Sequence, residues 1–149
     1  MSAEERLYSL AAQLKMLEAY LNDLVAREAT IVRFIEDSRL AIDAIRGLAG
    51  KGERESDDIH ALMPIGIGVY AHAKISTKDK LLVSVGSGVA IEKSREDAIA
   101  YIESRANELK NALISINNQK QELQNRIEGI RGEMNSIMQQ IQSQGRQRG

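Results

Sequence analysis

The sequence predicts a mainly α protein with a small β part: a long antiparallel coiled-coil hairpin carrying two β-hairpins at its centre. Three observations predict it. Apolar residues return every three or four positions over both ends of the chain, and they alternate at every second position in the middle. Large rings are nearly absent, with aromatics at 3 % of 149 residues and no Trp. The first rhythm is that of a helix seam facing a partner helix, and the second is that of a strand with one buried face. A chain so poor in rings builds a thin core, in which Leu, Ile and Ala repeat along helices.

The first seam runs Leu7, Leu10, Leu14, Leu17, Leu21, Leu24, Ile31, Ile35, Ile42 and Ile45, interrupted only at Glu28 and Ser38. Ser2 and Glu5 have capping-box spacing at its start, and Gly47, Gly50 and Gly52 stop it. The second seam runs Ile99, Ile102, Ala106, Leu109, Leu113, Ile116, Leu123, Ile127, Ile130, Met134, Ile137 and Ile141, with Lys120 as its one polar member. Ser94, followed by Asp97, is the expected N-cap. Each helix would measure on the order of 65 Å at the α-helical rise. The expected segments are a helix over 1–48, a linker over 49–58, two β-hairpins over 59–93, a second helix over 94–144 and a tail over 145–149.

The segment between the seams is short enough for the second helix to return beside the first. In that register Glu28 and Lys120 fall at nearly the same height, so they are expected to pair and fix the alignment. The alternative is that each stem snorkels outward to water on its own.

In the middle segment, Val69, Ala71, Ala73 and Ile75 alternate with Tyr70, His72 and Lys74 as one strand. Ile59 to Met63 forms an earlier short strand, turned by Pro64 and Gly66. A three-residue loop of Gly86, Ser87 and Gly88 is expected to set Val85 against Val89 and Val83 against Ile91. Four short strands with one Val/Ile face cannot cover that face themselves, so another chain is expected to cover it.

Charge and motif tests exclude several function classes. Twenty Lys and Arg oppose twenty-one Asp and Glu for a net charge of −1. Neither sign forms the block that nucleic acid or a membrane surface would attract, and the short basic C-terminus reads as a solvated tail. Cysteine is absent, which leaves no disulfide or thiolate chemistry. The N-terminus has acids where a signal peptide carries bases, and no stretch reaches the roughly 18 apolar residues of a membrane span. A cytoplasmic protein is expected.

The run from Gly86 begins like a dinucleotide fingerprint but has Ile91 at its third glycine position. The glycine run around Lys51 has Ile45 and Gly52 where a phosphate loop needs Gly and Ser/Thr. No cofactor is expected. His60 and His72 are the only histidines, too few for a metal centre. No nucleophile, base and orienter can be brought together, so no catalytic residue and no enzyme is expected.

The segments MPIGIGVYAHAKI and DKLLVSVGSGVAIEKSREDA resemble the central region of archaeal prefoldin alpha subunits. Pro64, Gly66, Gly68, Val69, Lys80, Val83, Gly86, Gly88 and the run Val89 to Lys93 carry the resemblance. Two hairpins rather than one match the alpha class. The resemblance implies a hexamer of two alpha and four beta subunits, with the strands joined in inter-subunit β-barrels. It also implies capture of unfolded clients without ATP and their transfer to a group II chaperonin in the cytosol. Gly86, Gly88 and the strand residues are then assembly residues.

Client contact is expected where the coil ends and its apolar stripe can fray, at Leu7, Leu10, Met134, Ile137, Met138 and Ile141. Met138 falls off the seam, so packing does not explain it, and a flexible thioether suits promiscuous contacts. Gly129 and Gly132 should loosen the same stretch. The rival reading is a scaffold that tethers folded partners through its coils.

Overall fold

The computed structural model describes residues 2–48 and 58–149. Helix α1 spans Ala3–Gly47, strands β1 to β4 span Asp58–Gly66, Val69–Ser76, Leu81–Gly86 and Val89–Lys93, and helix α2 spans Arg95–Gln147. The expected mainly α architecture with two central β-hairpins is therefore what the chain adopts. Gly50, Gly52 and the expected linker, except Asp58, lie outside the described residues. The second helix runs to Gln147, past the expected limit at 144. A lone Gly145 costs about 1 kcal/mol in a helix, too little to stop one.

Both helix starts are capped as their sequences require. Glu5 N–H donates to Ser2 Oγ and Ser2 N–H donates to Glu5 Oε2, each at 3.1 Å, while Asp97 N–H donates to Ser94 Oγ at 3.1 Å. These bonds satisfy donors that the first turn leaves orphaned.

The chain divides into two compact units. One contains residues 2–33 and 110–149, where α1 and α2 run antiparallel. Its core is Leu24, Ile116 and Leu123, with Leu17, Leu21 and Ile31 packed against them. In this unit the shielded positions of α1 follow the heptad seam, Glu28 included, with Glu18 the one addition.

The other unit, residues 34–109, holds the end of α1, both β-hairpins and the start of α2. Ile42, Ala98 and Ala106 are buried in it, together with Ser38. Ser38 interrupts the seam without leaving an unpaired hydroxyl, because its Oγ donates to the Phe34 carbonyl at 2.8 Å, an i−4 bond that conceals the group within the helix. On the surface, Arg39 bonds Glu36 and holds that carboxyl below its usual range.

Each β-hairpin is a separate two-stranded antiparallel sheet. Val83 stands opposite Ile91 as expected, but Val85 does not face Val89. The ladder shifts between Ser84 and Gly86, so Val85 is an extra residue and Gly86 faces Val89. The loop accordingly has two residues, Ser87 and Gly88, at φ of 52° and 74°. Two successive positive φ values make a turn whose twist matches the flanking strands, and this is why the bulge and tight turn replace a three-residue loop.

The first hairpin repeats the device. Its ladder shifts between Pro64 and Gly66, and Ile67 and Gly68 turn at φ of 51° and 74°. The turn therefore follows Gly66, and β1 continues through Pro64, whose missing N–H is tolerated beside a bulge on an unpaired edge. Ile67 is a β-branched residue in the left-handed region with its side chain fully in solvent. Ile67→Asn should raise the stability of the isolated chain by about 1 kcal/mol, read as a rise in thermal midpoint, because Asn tolerates that conformation.

Candidate functional site

Two surfaces are candidates, one on each unit. On the strand-bearing unit, alternation sorts the side chains into faces: Ala71, Ala73 and Ile75 of β2 are half-buried, as are Leu81, Val83 and Val85 of β3. The remainder of the apolar set is open to water. Val69, Val89 and Ile91 keep 55 %, 51 % and 46 % of their surface exposed. Leu62, Met63, Ile65 and Tyr70 on the first hairpin, and Leu82 on the second, are also exposed. So many exposed large apolar side chains on four short strands are unusual for a surface that stays in water, and each two-stranded ladder has two outer edges with unpaired backbone groups. The arrangement can accept further strands and an apolar cover. Gly68 and Gly88, both left-handed, hold the turns, and a side chain at either would be strained.

The helix-pair unit carries the residues expected to meet clients. Leu10 and Ile137 are buried, Leu7, Met134 and Ile141 are half-buried, and Met138 alone among the six is exposed, at 44 %. The seam is thus closed along this stretch, and five of the six side chains become available only if the helices part. Tyr8 and Met16, 80 % and 74 % exposed, are open apolar residues of α1 that the seam pattern passed over. They could have been found by the reasoning that singled out Met138, since both are large apolar residues at off-seam positions.

Glu28 and Lys120 meet: Lys120 Nζ lies 2.7 Å from Glu28 Oε2, with side chains 21 % and 29 % exposed for Lys and Glu. Two opposite charges at one height of an apolar seam are expected to disfavour a slipped alignment, since a slip would set each against hydrocarbon. We expect Glu28→Lys to cost about 2 kcal/mol in denaturant unfolding, and a second change, Lys120→Glu, to recover most of it. Equal losses that simply add in the double variant would show that the two side chains act independently.

His60 and His72 are exposed on their strands, and among the described residues no group of three or more His, Asp or Glu side chains is placed to hold a metal ion. A cavity of about 390 Å³ beside β3 is lined by Phe34, Ser38, Ser84, Tyr101, Ile102 and Arg105. Arg105 lies 6.0 Å from the Tyr101 ring centre, a cation–π contact rather than a catalytic pairing. Among the described residues, no helix is long and apolar enough to cross a membrane.

Comparison with known proteins agrees with the geometry. The chain is 34 % identical over 143 residues to the prefoldin subunit alpha of Nitrosopumilus maritimus, covering 96 % of this chain and 95 % of that one. It is 27 % identical over 144 residues to prefoldin subunit alpha of Methanocorpusculum labreanum, covering 90 % and 93 %. Among solved structures, filamentous prefoldin from Methanocaldococcus jannaschii superposes with a TM-score of 0.52 at 27 % identity, over 87 % of this chain and 98 % of the other. The prefoldin beta subunit from Thermococcus strain KS-1 shares the fold, with a TM-score of 0.56 at 13 % identity over 88 % and 90 %. The family model described as Prefoldin subunit matches residues 3–140. With two capped heptad helices around a pair of Gly-X-Gly hairpins, the chain belongs to the prefoldin family of chaperone subunits and sits with its alpha subunits.

Proposed function

We propose that the chain is the alpha-type partner in a hexamer of two alpha and four beta subunits that holds unfolded proteins without ATP and passes them to a group II chaperonin in the cytosol. The hairpins are the assembly region, contributing Val69, Ala71, Ala73, Ile75, Val83, Val85, Val89 and Ile91 to inter-subunit barrels, with Gly86 and Gly88 shaping the second turn. Clients are held at the helix ends nearest the termini, by Leu7, Leu10, Met134, Ile137, Met138 and Ile141.

The observation that carries this reading is the set of exposed apolar residues on both hairpins, Leu62, Met63, Ile65, Val69 and Tyr70 on the first and Leu82, Val89 and Ile91 on the second. Covering it supplies the free energy of assembly, at about 25 cal/mol per Å² of apolar surface. Exposed Tyr8, Met16 and Met138 offer clients soft, non-directional contacts that suit many partners.

The test is suppression of light scattering by a denatured, aggregating client without nucleotide, with and without a beta-type partner. The reading predicts suppression at near-stoichiometric assembly, and most strongly with the partner. Saturable binding to folded proteins with no suppression would favour the scaffold instead.

A further inference from the structure

Within the helix-pair unit, α2 carries Gly129 and Gly132 one turn apart, and neither is needed for close packing. A Cβ built on either would meet nothing within 4 Å. Glycine in an open helix position only weakens the backbone, so two of them without a steric reason mark a weak point. The same turn carries a second weakness, since Ser136 Oγ donates to the Gly132 carbonyl at 3.1 Å, a back-bond that bends helices and slightly destabilises them.

The residues on either side of Gly132 reach in opposite directions along α1. Arg131 bonds Glu18 at 2.8 Å, and Glu133 pairs with Arg6, whose Nε donates to it at 2.8 Å. Glu18 and Arg6 are about 18 Å apart along their helix, whereas Arg131 and Glu133 are separated by about 3 Å along theirs. Two diverging ion pairs therefore tie this glycine-weakened turn of α2 to α1 from both sides. All four side chains are exposed to between 41 % and 59 % of their surface, so each tie is modest and is screened by salt.

We infer that residues 129–133 form a salt-sensitive braced joint, at which the C-terminal stretch of α2 can part from α1 while the rest of the helix pair stays closed. Parting there uncovers the seam of Leu7, Leu10, Met134, Ile137 and Ile141, which is otherwise shielded. The weakening by glycine and the strengthening by the ion pairs oppose each other with comparable size, which leaves opening accessible but not dominant. The joint stands apart from the client reading, because its test requires no client.

Amide hydrogen exchange of the full chain decides it. Both glycine positions have room for a methyl, so the double variant Gly129→Ala/Gly132→Ala folds unhindered. Each change should slow exchange about fivefold, and the pair roughly tenfold or more, for amides between about 126 and 141. Residues near the start of α2 should not change. Unaltered exchange, or slowing spread evenly along the whole helix, overturns the joint. The variant Arg131→Gln/Glu133→Gln should speed the same amides about threefold at low salt and abolish their response to added salt. If exchange keeps its wild-type rate and salt dependence, the bracing is wrong.

Discussion

Ile91→Glu should abolish co-assembly with a beta-type partner while leaving the helices folded, read as loss of the high-mass species in size-exclusion chromatography with unchanged helical circular dichroism. Ile91 faces Val83 across the second hairpin and remains 46 % exposed in the single chain, so a glutamate there costs the isolated chain little. In the assembly the same position would be covered. The loss combines about 2 kcal/mol of apolar burial with the larger penalty of enclosing an unpaired carboxylate. The contrast between an unaffected monomer and an absent complex separates an assembly role from a folding role. Co-assembly at the wild-type level would mean that this face is not the one that is covered.

Deleting residues 1–10 together with 138–149 should abolish protection of an aggregating client and leave the assembly intact. The deletion removes Tyr8 and Met138, the exposed apolar groups of this stretch, together with Leu7, Leu10 and Ile141 of the closed seam. It leaves the core of the helix-pair unit, Leu24, Ile116 and Leu123, in place. Both hairpins are also untouched. The expected signature is a complex of normal stoichiometry, reduced in mass only by the deletion, whose light-scattering trace follows that of the client alone. Retained protection would move the client surface elsewhere, with the remaining exposed row at Met16 and Tyr20 the next place to look.

The helices were legible because their determinants are local and repetitive. A seven-residue rhythm, a Ser2/Glu5 box and a Ser94 cap all act within a few turns, and both capping arrangements form as their residue types require. Even the seam's interruptions fit physically, since Ser38 bonds within its own helix and Glu28 meets Lys120 at 2.7 Å. The faces of the strands were legible for the same reason, because alternation is independent of the turn. The turns were less so. One bulged residue, Ile65 in the first hairpin and Val85 in the second, shifts the ladder by a step. Alternation alone does not distinguish a three-residue loop from a bulge with a two-residue turn. The Gly-X-Gly repeated at 66–68 and 86–88 was the available signal, since left-handed φ at both turn positions needs that chemistry.

The functional surfaces followed a similar division. The strand residues proposed for assembly could be singled out because an uncovered Val/Ile face is a matter of arithmetic on short strands. Five of the six residues expected to meet clients were drawn from the seam, where burial competes with exposure, and the open side chains of Tyr8 and Met16 were passed over because a seam search discards off-seam positions. Glu18, Arg131, Glu133 and Arg6 escaped notice because charged residues on outer helix positions have no sequence signature that distinguishes a cross-helix tie from a solvated face.

The central claim is that the apolar strand faces exist to be covered by other chains, and the most direct measurement of it is the native mass of the purified chain alone and mixed with a beta-type prefoldin subunit. The account predicts a discrete mixed species of two copies of this chain with four of the partner, formed without nucleotide. A chain that stays a folded monomer at every mixing ratio would contradict it.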